Sequence, residues 1–135
     1  MDSEVPLPEY AYPGDAGLDL SSTHRVTLMP GERQLISTGI SIALPIGYAA
    51  FVQPRSGLAL RSGLGIVNSP GLIDSQYRGE IKVIAINFDQ HEPIHIERGD
   101  RIAQLVIQPI ASVRLVEVLE LDATERGEGG FGSSS

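Results

Sequence analysis

Two isolated carboxylates in glycine-containing loops are the residues of this sequence best suited to do chemistry. Asp74 follows an apolar pair in "GLIDSQYRGE", and Asp19 lies in "PGDAGLDL", which also contains Asp15. A lone carboxylate such as Asp74 can orient and deprotonate a water molecule. Asp19 could hold Mg²⁺, directly or through water, beside phosphates. Taken alone, each acid is more typical of turn chemistry, in which Asp caps its own backbone.

Two further stretches offer groups that could bind an anion. In "PRSGLALRSG" an arginine and a serine open a short helix predicted over about residues 56–62. The backbone N–H groups of Ser56 and Gly57 would point outward there and favour an anion, although an ordinary N-cap serine fits equally well. "RGDRIAQLV" places Arg101 and Gln104 at the start of a predicted strand, where a solvent-facing role is the more common one.

The glycine-rich stretch "RGEGGFGSSS" admits three interpretations. Gly127, Gly129 and Gly132 fit the dinucleotide fingerprint, but that motif needs a helix after it, and only serines follow. A frayed terminus agrees with the Gly and Ser content. It does not account for Arg126 and Phe131, which would suit a lid that closes over a ligand.

The histidines do not indicate a metal site. His91 to His95 in "HEPIH" match the zincin motif, which requires a helix to bring the two histidines together. Pro93 would break that helix, so a polar hairpin loop is the preferred interpretation. His24 opens a strand and has no evident partner, and we assign neither a histidine metal ligand nor a Ser-His-Asp triad.

Composition restricts the possible partners. The chain has 135 residues, no Cys and a net charge of −7, with a pI of about 4.8. Such a surface repels nucleic acid and anionic membranes, so an anionic ligand must be held by local arginines and backbone N–H groups. The sequence contains neither a membrane-spanning run nor a signal peptide. We therefore expect a cytoplasmic protein with no nucleic-acid or membrane partner.

The elements that must position these residues are short strands separated by turns. Strands are predicted for "RVTL", "RQLIS", "ISIAL", "YAAFVQ", "GIVN", "EIKVIAINF", "IHIE", "RIAQLVIQ" and "VRLVEVLEL". This pattern predicts an all-β sandwich or barrel such as a jelly roll. The last segment predicted to pack ends at Leu121, so we expect a core domain over 1–121 and a flexible glycine-rich C-terminal arm over 122–135.

Five stretches together resemble, in order and spacing, the five motifs of the trimeric dUTP pyrophosphatase (dUTPase) family. They are "AGLDL" (16–20), "PRSGLA" (54–59), "GLIDSQYRGE" (71–80), "GDRIAQLV" (99–106) and "RGEGGFGSS" (126–134). The resemblance covers nearly the whole chain. It implies a jelly-roll subunit and a homotrimer whose active sites are shared between chains, with the glycine-rich arm of one chain closing over another.

The resemblance also implies a reaction and the residues that carry it. Mg²⁺-dependent hydrolysis of dUTP would give dUMP and pyrophosphate, with Asp74 activating the water that attacks the α-phosphorus. Asp19 would bind Mg²⁺ through water, and Tyr77 would pack under the deoxyribose. Phosphate contacts are implied for Arg55, Ser56, Gly57 and Gln104, uracil contacts for Asn68, Ile81 and Lys82, and contacts from the arm for Arg126, Phe131, Gly132, Ser133 and Ser134. In this scheme Phe131 stacks on uracil, and Arg101 makes a supporting ion pair.

Two other functions remain as alternatives. The dCTP deaminases share this fold, but they use a glutamate shortly after the third motif, where this sequence aligns Ile84. A non-catalytic jelly-roll module that binds a nucleotide is the other alternative. Loss of Asp74 or of the arm would favour such a module, and both are present.

Overall fold

A computed structural model describes residues 5–134, and in this range the chain forms nine strands and one short helix. In chain order the elements are β1 (Gly17–Ser21), β2 (Val26–Leu28), β3 (Arg33–Ile40), β4 (Tyr48–Gln53), α1 (Ser56–Ser62), β5 (Leu64–Ile66), β6 (Gly71–Ile73), β7 (Ile81–Asn87), β8 (Ile94–Ile96) and β9 (Arg101–Pro109). The predicted all-β class and the predicted helix are both confirmed. No helix among the described residues is long and apolar enough to cross a membrane.

The strands form three antiparallel sheets. The largest has the order β1-β9-β4-β6, and the others are β3-β7-β5 and β2-β8. Because β9 pairs with both β1 and β4, Gln104 lies opposite Asp19 on one side and Gln53 on the other. The sheet therefore brings the first and fourth motifs side by side, although they are far apart in the sequence.

Alternating side chains build the core between the sheets. On β7, Ile81, Val83 and Ala85 are buried, while the residues between them are exposed or half-buried. They pack with residues of the other sheets such as Leu20 of β1 and Leu105 of β9. Burial of these apolar side chains is the main force that holds the sheets together, and the period of two fixes which residues of β7 face outward.

A buried polar residue, Asn87, fastens the end of β7. Its Nδ2 donates to the carbonyl oxygens of Leu28 (3.0 Å) and Glu92 (2.8 Å), and its Oδ1 accepts from the backbone N–H of Asp89 (2.8 Å). Its polar atoms are therefore paired, as burial requires. These bonds tie β7 to β2 and to the loop before β8.

Some strand predictions were wrong at the level of single segments. The segment "ISIAL" is outside any strand after Ile40, because the chain turns at Pro45 and Gly47, and the Tyr48 N–H donates to the Pro45 carbonyl. Conversely, β1 and β6 lie in segments whose Gly, Asp and Pro content was interpreted as turns. Both are edge strands of the four-stranded sheet, where each pairs with a single neighbour.

The predicted strand "VRLVEVLEL" is also absent from the structure. Within residues 5–134, the last backbone hydrogen bond that links this end of the chain to the strand region runs from the Ile110 N–H to the carbonyl of Gly47, just before β4 (2.9 Å). Beyond it, residues 111–134, which we call the C-terminal segment, form neither helix nor strand. Val113, Leu115 and Leu119 are all more than four-fifths exposed, because no described strand lies beside them. The chain thus presents an extended apolar segment to solvent, and the domain boundary at residue 121 stays a prediction.

Candidate active site

One pocket lies between the loop after β5 and the turn that joins β6 to β7, and we call it the hairpin pocket. Its volume is about 180 Å³, and its lining includes Asn68, Asp74, Tyr77, Ile81 and Lys82. Asp74 directly follows β6, and its side chain is exposed to solvent. The structure thus brings together five of the six residues that the resemblance assigns to the water, the sugar and the base; the sixth, Phe131, does not line this pocket.

Local contacts hold the ring of Tyr77 at this pocket. The Tyr77 hydroxyl donates to the Glu80 carbonyl (3.0 Å), and its N–H donates to the Asp74 carbonyl (3.1 Å). A β-carbon at Gly79 would collide with the Tyr77 hydroxyl, so only glycine leaves room for the ring there. The β6–β7 turn therefore fixes Tyr77 relative to Asp74 without help from the rest of the chain.

The start of β7 is fixed by β3. The Thr38 hydroxyl donates to the Ile81 carbonyl, and Glu80 Oε1 accepts from the Gly39 N–H (2.9 Å). The β3–β7 register shifts between Ser37 and Ile40 at this point. The backbone around Ile81 is thereby held in place at the pocket, which is a requirement for reading a base edge through main-chain groups.

A second pocket, which we call the helix pocket, lies between β1, the start of α1 and β9. Its volume is about 460 Å³. Its lining includes Asp19, Arg55, Ser56, Gly57 and Gln104, the residues that the resemblance assigns to Mg²⁺ and the phosphates. The two pockets have no lining residue in common.

The carboxylate of Asp19 is held between two guanidinium groups. Arg55 Nε lies 3.0 Å from Asp19 Oδ1, and Arg101 Nη1 lies 3.6 Å from Asp19 Oδ2. The ion pair expected for Arg101 is therefore present. Since the Asp19 side chain is about a quarter exposed, these charges fix its orientation and leave it accessible from the pocket.

Gln104 is positioned by its neighbours on both sides. Its Nε2 donates to the Pro54 carbonyl (3.0 Å), just before Arg55. A β-carbon at Gly17 would lie 2.6 Å from Gln104 Oε1, so glycine at this position of β1 makes room for the amide. The glycine of the first motif thus has a packing role.

Helix α1 corrects one interpretation and adds residues that the sequence analysis missed. The N-cap is Arg55, without a side-chain capping bond, so Ser56 is the first helical residue rather than an N-cap serine. The helix pocket is also lined by Tyr12, Asp15 and Arg61. Arg61 lies four residues after Gly57, a spacing that places both on one face of a helix, and this signal was available in the sequence.

Asp15 plays the turn role that its sequence context favours. Its Oδ2 accepts from the Tyr12 N–H (2.9 Å), and its own N–H donates to the Tyr12 carbonyl (3.1 Å). Gly14 supports this turn with a φ of 87°. The result is a closed turn that holds Tyr12 at the rim of the helix pocket.

The C-terminal segment lines neither pocket. Arg126 Nε donates to the Gly129 carbonyl (2.7 Å), and the Gly129 N–H donates to the Arg126 carbonyl (3.1 Å). Phe131 is fully exposed, with a φ of 51°. Gly132, Ser133 and Ser134 follow in a turn. The structure does not bring these five predicted residues to the rest of the site.

The "HEPIH" stretch runs from a turn into β8 rather than along a helix. Asp89 Oδ2 accepts from the N–H groups of His91 (3.0 Å) and Glu92 (2.7 Å). These bonds, that from Glu92 first, lower the pKa of the Asp89 carboxyl below its usual value. His95 lies on β8 with Thr27 beside it. The two histidines therefore do not share one helical face.

The donor groups define what kind of metal site is possible. Among residues 5–134 there is no group of three or more His, Asp or Glu side chains that could hold an ion. Asp19 offers one carboxylate whose two oxygens already contact arginines. A Mg²⁺ ion at such a place needs most of its ligands from water and from substrate phosphates, which is the ion's usual mode of binding.

The fold and the two pockets define a jelly-roll protein with a polar site suited to a phosphorylated ligand, and comparisons with known proteins agree. The dUTPase family model matches residues 3–135. A deoxyuridine 5'-triphosphate nucleotidohydrolase of Streptomyces griseus is 58% identical over 134 residues, which cover 99% of this chain and 76% of that protein. The corresponding protein of Corynebacterium glutamicum is 58% identical over 134 residues, with 99% and 90% covered.

Solved structures give the same result. The dUTPase of Staphylococcus bacteriophage 80alpha with dUPNHPP has a TM-score of 0.90 at 32% identity, covering 99% of this chain and 94% of that one. A mutant dUTPase of phage phi11, described with a structural Mg(II) ion, has a TM-score of 0.83 at 28% identity, with 90% and 95% covered. The chain belongs to the dUTPase family.

Proposed function

We propose that this dUTPase family member hydrolyses dUTP to dUMP and pyrophosphate by attack of water on the α-phosphorus. The observation that carries the proposal is the hairpin pocket. Asp74, Tyr77 and Asn68 line it together, next to the start of β7. A carboxylate beside a pocket can hold and deprotonate an attacking water. Membership of the dUTPase family and the position of Asp74 at this pocket both support the proposal.

The hairpin pocket supports binding of the nucleoside end. Tyr77 is about half exposed, and the Glu80 carbonyl holds its hydroxyl, so its ring can pack against a sugar without moving. We assign it the exclusion of a 2′-hydroxyl by shape. Asn68 and the backbone of Ile81 and Lys82 would read the uracil edge through hydrogen bonds, which discriminate between bases more sharply than apolar contacts do.

The helix pocket supports binding of the phosphates and of Mg²⁺. Arg55, Ser56, Gly57 and Gln104 would contact the phosphates and stabilise the charge that develops on the leaving pyrophosphate. Asp19 would hold Mg²⁺ through water, because Arg55 and Arg101 occupy its two oxygens. The ion, when bound, would neutralise part of the triphosphate charge.

The separation of the pockets supports a site shared between chains. A nucleotide needs both pockets, yet they have no residue in common, and the C-terminal segment lines neither of them. The apolar side chains of residues 113–121 are exposed in a single chain, a state that favours association with another copy. We therefore assign the active form to a homotrimer. In it Arg126, Gly132, Ser133 and Ser134 reach the γ-phosphate of a neighbouring site, and Phe131 stacks on uracil.

The alternatives have less support. A deaminase would need a proton-relaying side chain where Ile84 stands, and Ile84 is a half-buried aliphatic residue of β7. A non-catalytic nucleotide-binding module has no observation in its favour, since Asp74 is present at the pocket. The cytoplasmic location remains a prediction from the sequence.

The test is to incubate the protein with dUTP, dCTP or UTP in the presence and absence of Mg²⁺, and to measure pyrophosphate and ammonia. We expect pyrophosphate from dUTP with Mg²⁺, and little from the other two nucleotides. Ammonia from dCTP would support the deaminase instead, and no product from any nucleotide would contradict both. Light scattering of the same sample should give the mass of a trimer, and a fully active monomer would refute the shared site.

A further inference from the structure

Arg61 is a cation of the helix pocket to which no role has been assigned so far. It lies in the last turn of α1, and its guanidinium folds back over Gly57. A β-carbon at Gly57 would lie 2.9 Å from Arg61 Nη1, 3.3 Å from Nη2 and 3.4 Å from Cζ. The absence of a side chain at Gly57 therefore gives the Arg61 guanidinium a place beside the second motif.

The charges of this pocket leave Arg61 without an anionic partner. Arg55 and Arg101 are both engaged with Asp19, at 3.0 Å and 3.6 Å. Asp15, the other acid in the lining, accepts a hydrogen bond from the Tyr12 N–H. Within residues 5–134, the Arg61 guanidinium forms neither an ion pair nor a hydrogen bond. In a chain of net charge −7, a guanidinium that lines a pocket and has no acidic partner there is suited to bind an anion.

We propose that Arg61 binds the β- or γ-phosphate of the nucleotide. The inference rests on the proposed function, which places the α-phosphorus near Asp74 and thus leaves the helix pocket to the outer phosphates. Arg55 is shared between Asp19 and the phosphates assigned to it, whereas the guanidinium of Arg61 has no ion pair within residues 5–134. A guanidinium can donate two charge-assisted hydrogen bonds to one phosphate. A neutral side chain cannot supply that charge.

The test compares Arg61→Gln with Arg61→Lys and with Arg33→Gln. Arg33 is an exposed arginine at the start of β3 that lines neither pocket, so it provides a matched control for the loss of one positive charge. Affinity is measured calorimetrically for dUPNHPP, which carries three phosphates, and for dUMP, which carries only one. Steady-state hydrolysis of dUTP is measured for the same set of proteins.

We expect Arg61→Gln to weaken dUPNHPP binding about 10- to 100-fold, the usual effect of one charged hydrogen bond. Binding of dUMP should not change. Arg61→Lys should lie between Arg61→Gln and wild type, and Arg33→Gln should match wild type for both ligands.

Three outcomes would overturn the assignment. They are unchanged dUPNHPP affinity in Arg61→Gln, an equal loss for dUMP and dUPNHPP, or an equal loss in Arg33→Gln. The second would mean that Arg61 acts on the fold of the pocket rather than on the outer phosphates. Failure of the proposed function is separate, because it would appear as absence of dUTP hydrolysis in the wild-type protein.

Discussion

The hairpin pocket and the C-terminal segment carry residues assigned to the same nucleotide, but the residues of the pocket are held in place and those of the segment are exposed. Tyr77 is held by hydrogen bonds to Glu80 and Asp74 within its own turn, and the start of β7 is fastened to β3. Phe131 is fully exposed, and the hydrogen bonds around it join residues of the same segment. The β6–β7 turn and the contact of β7 with β3 thus hold the residues assigned to the hairpin pocket, while the residues assigned to closing the site contact only their own segment.

The largest effect is expected for a substitution in the hairpin pocket. Asp74→Asn removes the base that would activate the water, so turnover of dUTP should fall about 10²- to 10⁴-fold. Affinity for dUPNHPP should stay near that of wild type, because the shape of the pocket is kept. Steady-state kinetics and calorimetry measure the two quantities. Asp122→Asn, an acid outside both pockets, serves as the control, and near-normal turnover in Asp74→Asn would exclude the assigned role.

Removal of residues 126–135 tests the role of the C-terminal segment. Residues 126–134 are not part of the hydrophobic core, so the fold and the oligomer should survive, as judged by circular dichroism and light scattering. Turnover should nevertheless fall by about 100-fold or more, because the outer phosphate and the base lose their closing contacts and water enters. Equal rates for the truncated and full-length proteins would show that the segment has no part in catalysis.

A smaller effect is expected for sugar selection by Tyr77. Tyr77→Ala removes the ring that fills the space of a 2′-hydroxyl, so the preference for dUTP over UTP should narrow by about 10-fold. Tyr77→Phe keeps the ring, loses only the bond to the Glu80 carbonyl, and should retain most of the preference. The ratio of kcat/KM for the two nucleotides is the measurement, and an unchanged ratio in Tyr77→Ala would place sugar recognition elsewhere.

The smallest effect is expected for Phe131→Ala, which removes one stacking contact and keeps the phosphate contacts of the segment. We expect kcat/KM for dUTP to fall about 2- to 10-fold. Phe131→Trp should keep activity, and its fluorescence should report closure because the chain contains no other Trp. A Trp signal that does not respond to dUPNHPP would contradict stacking on the base.

The sequence predicted features that depend on neighbouring residues, and it failed for features that depend on pairing with a distant segment. The β-forming residues of β7 and β9, set between turn signals, predicted both strands. The same kind of composition in "VRLVEVLEL" predicted a strand that finds no partner among the described residues, because composition does not identify the neighbour of a strand. The edge strands β1 and β6 were missed because their glycines and acids are typical of turns.

For the site, the motif order predicted the residues but not their grouping. Asp74 and Tyr77 could be linked from the sequence, since one turn contains both. The division into two pockets depends on how β9 pairs with β1 and β4, which the sequence alone does not specify. Arg61 was missed because one more arginine on a short helix is usually a solvated residue, and its spacing from Gly57 does not by itself show that the guanidinium lies over that glycine.

The exposed apolar stretch 113–121 has a consequence for mass action. If it is covered only in the proposed trimer, folding and association are coupled, and the apparent stability of the folded subunit depends on protein concentration. The midpoint of thermal unfolding then rises as the protein is concentrated. Dilution dissociates the trimer into subunits, each of which carries only part of any one active site. The amount of protein that a cell makes would thereby set the fraction that is active as well as the total.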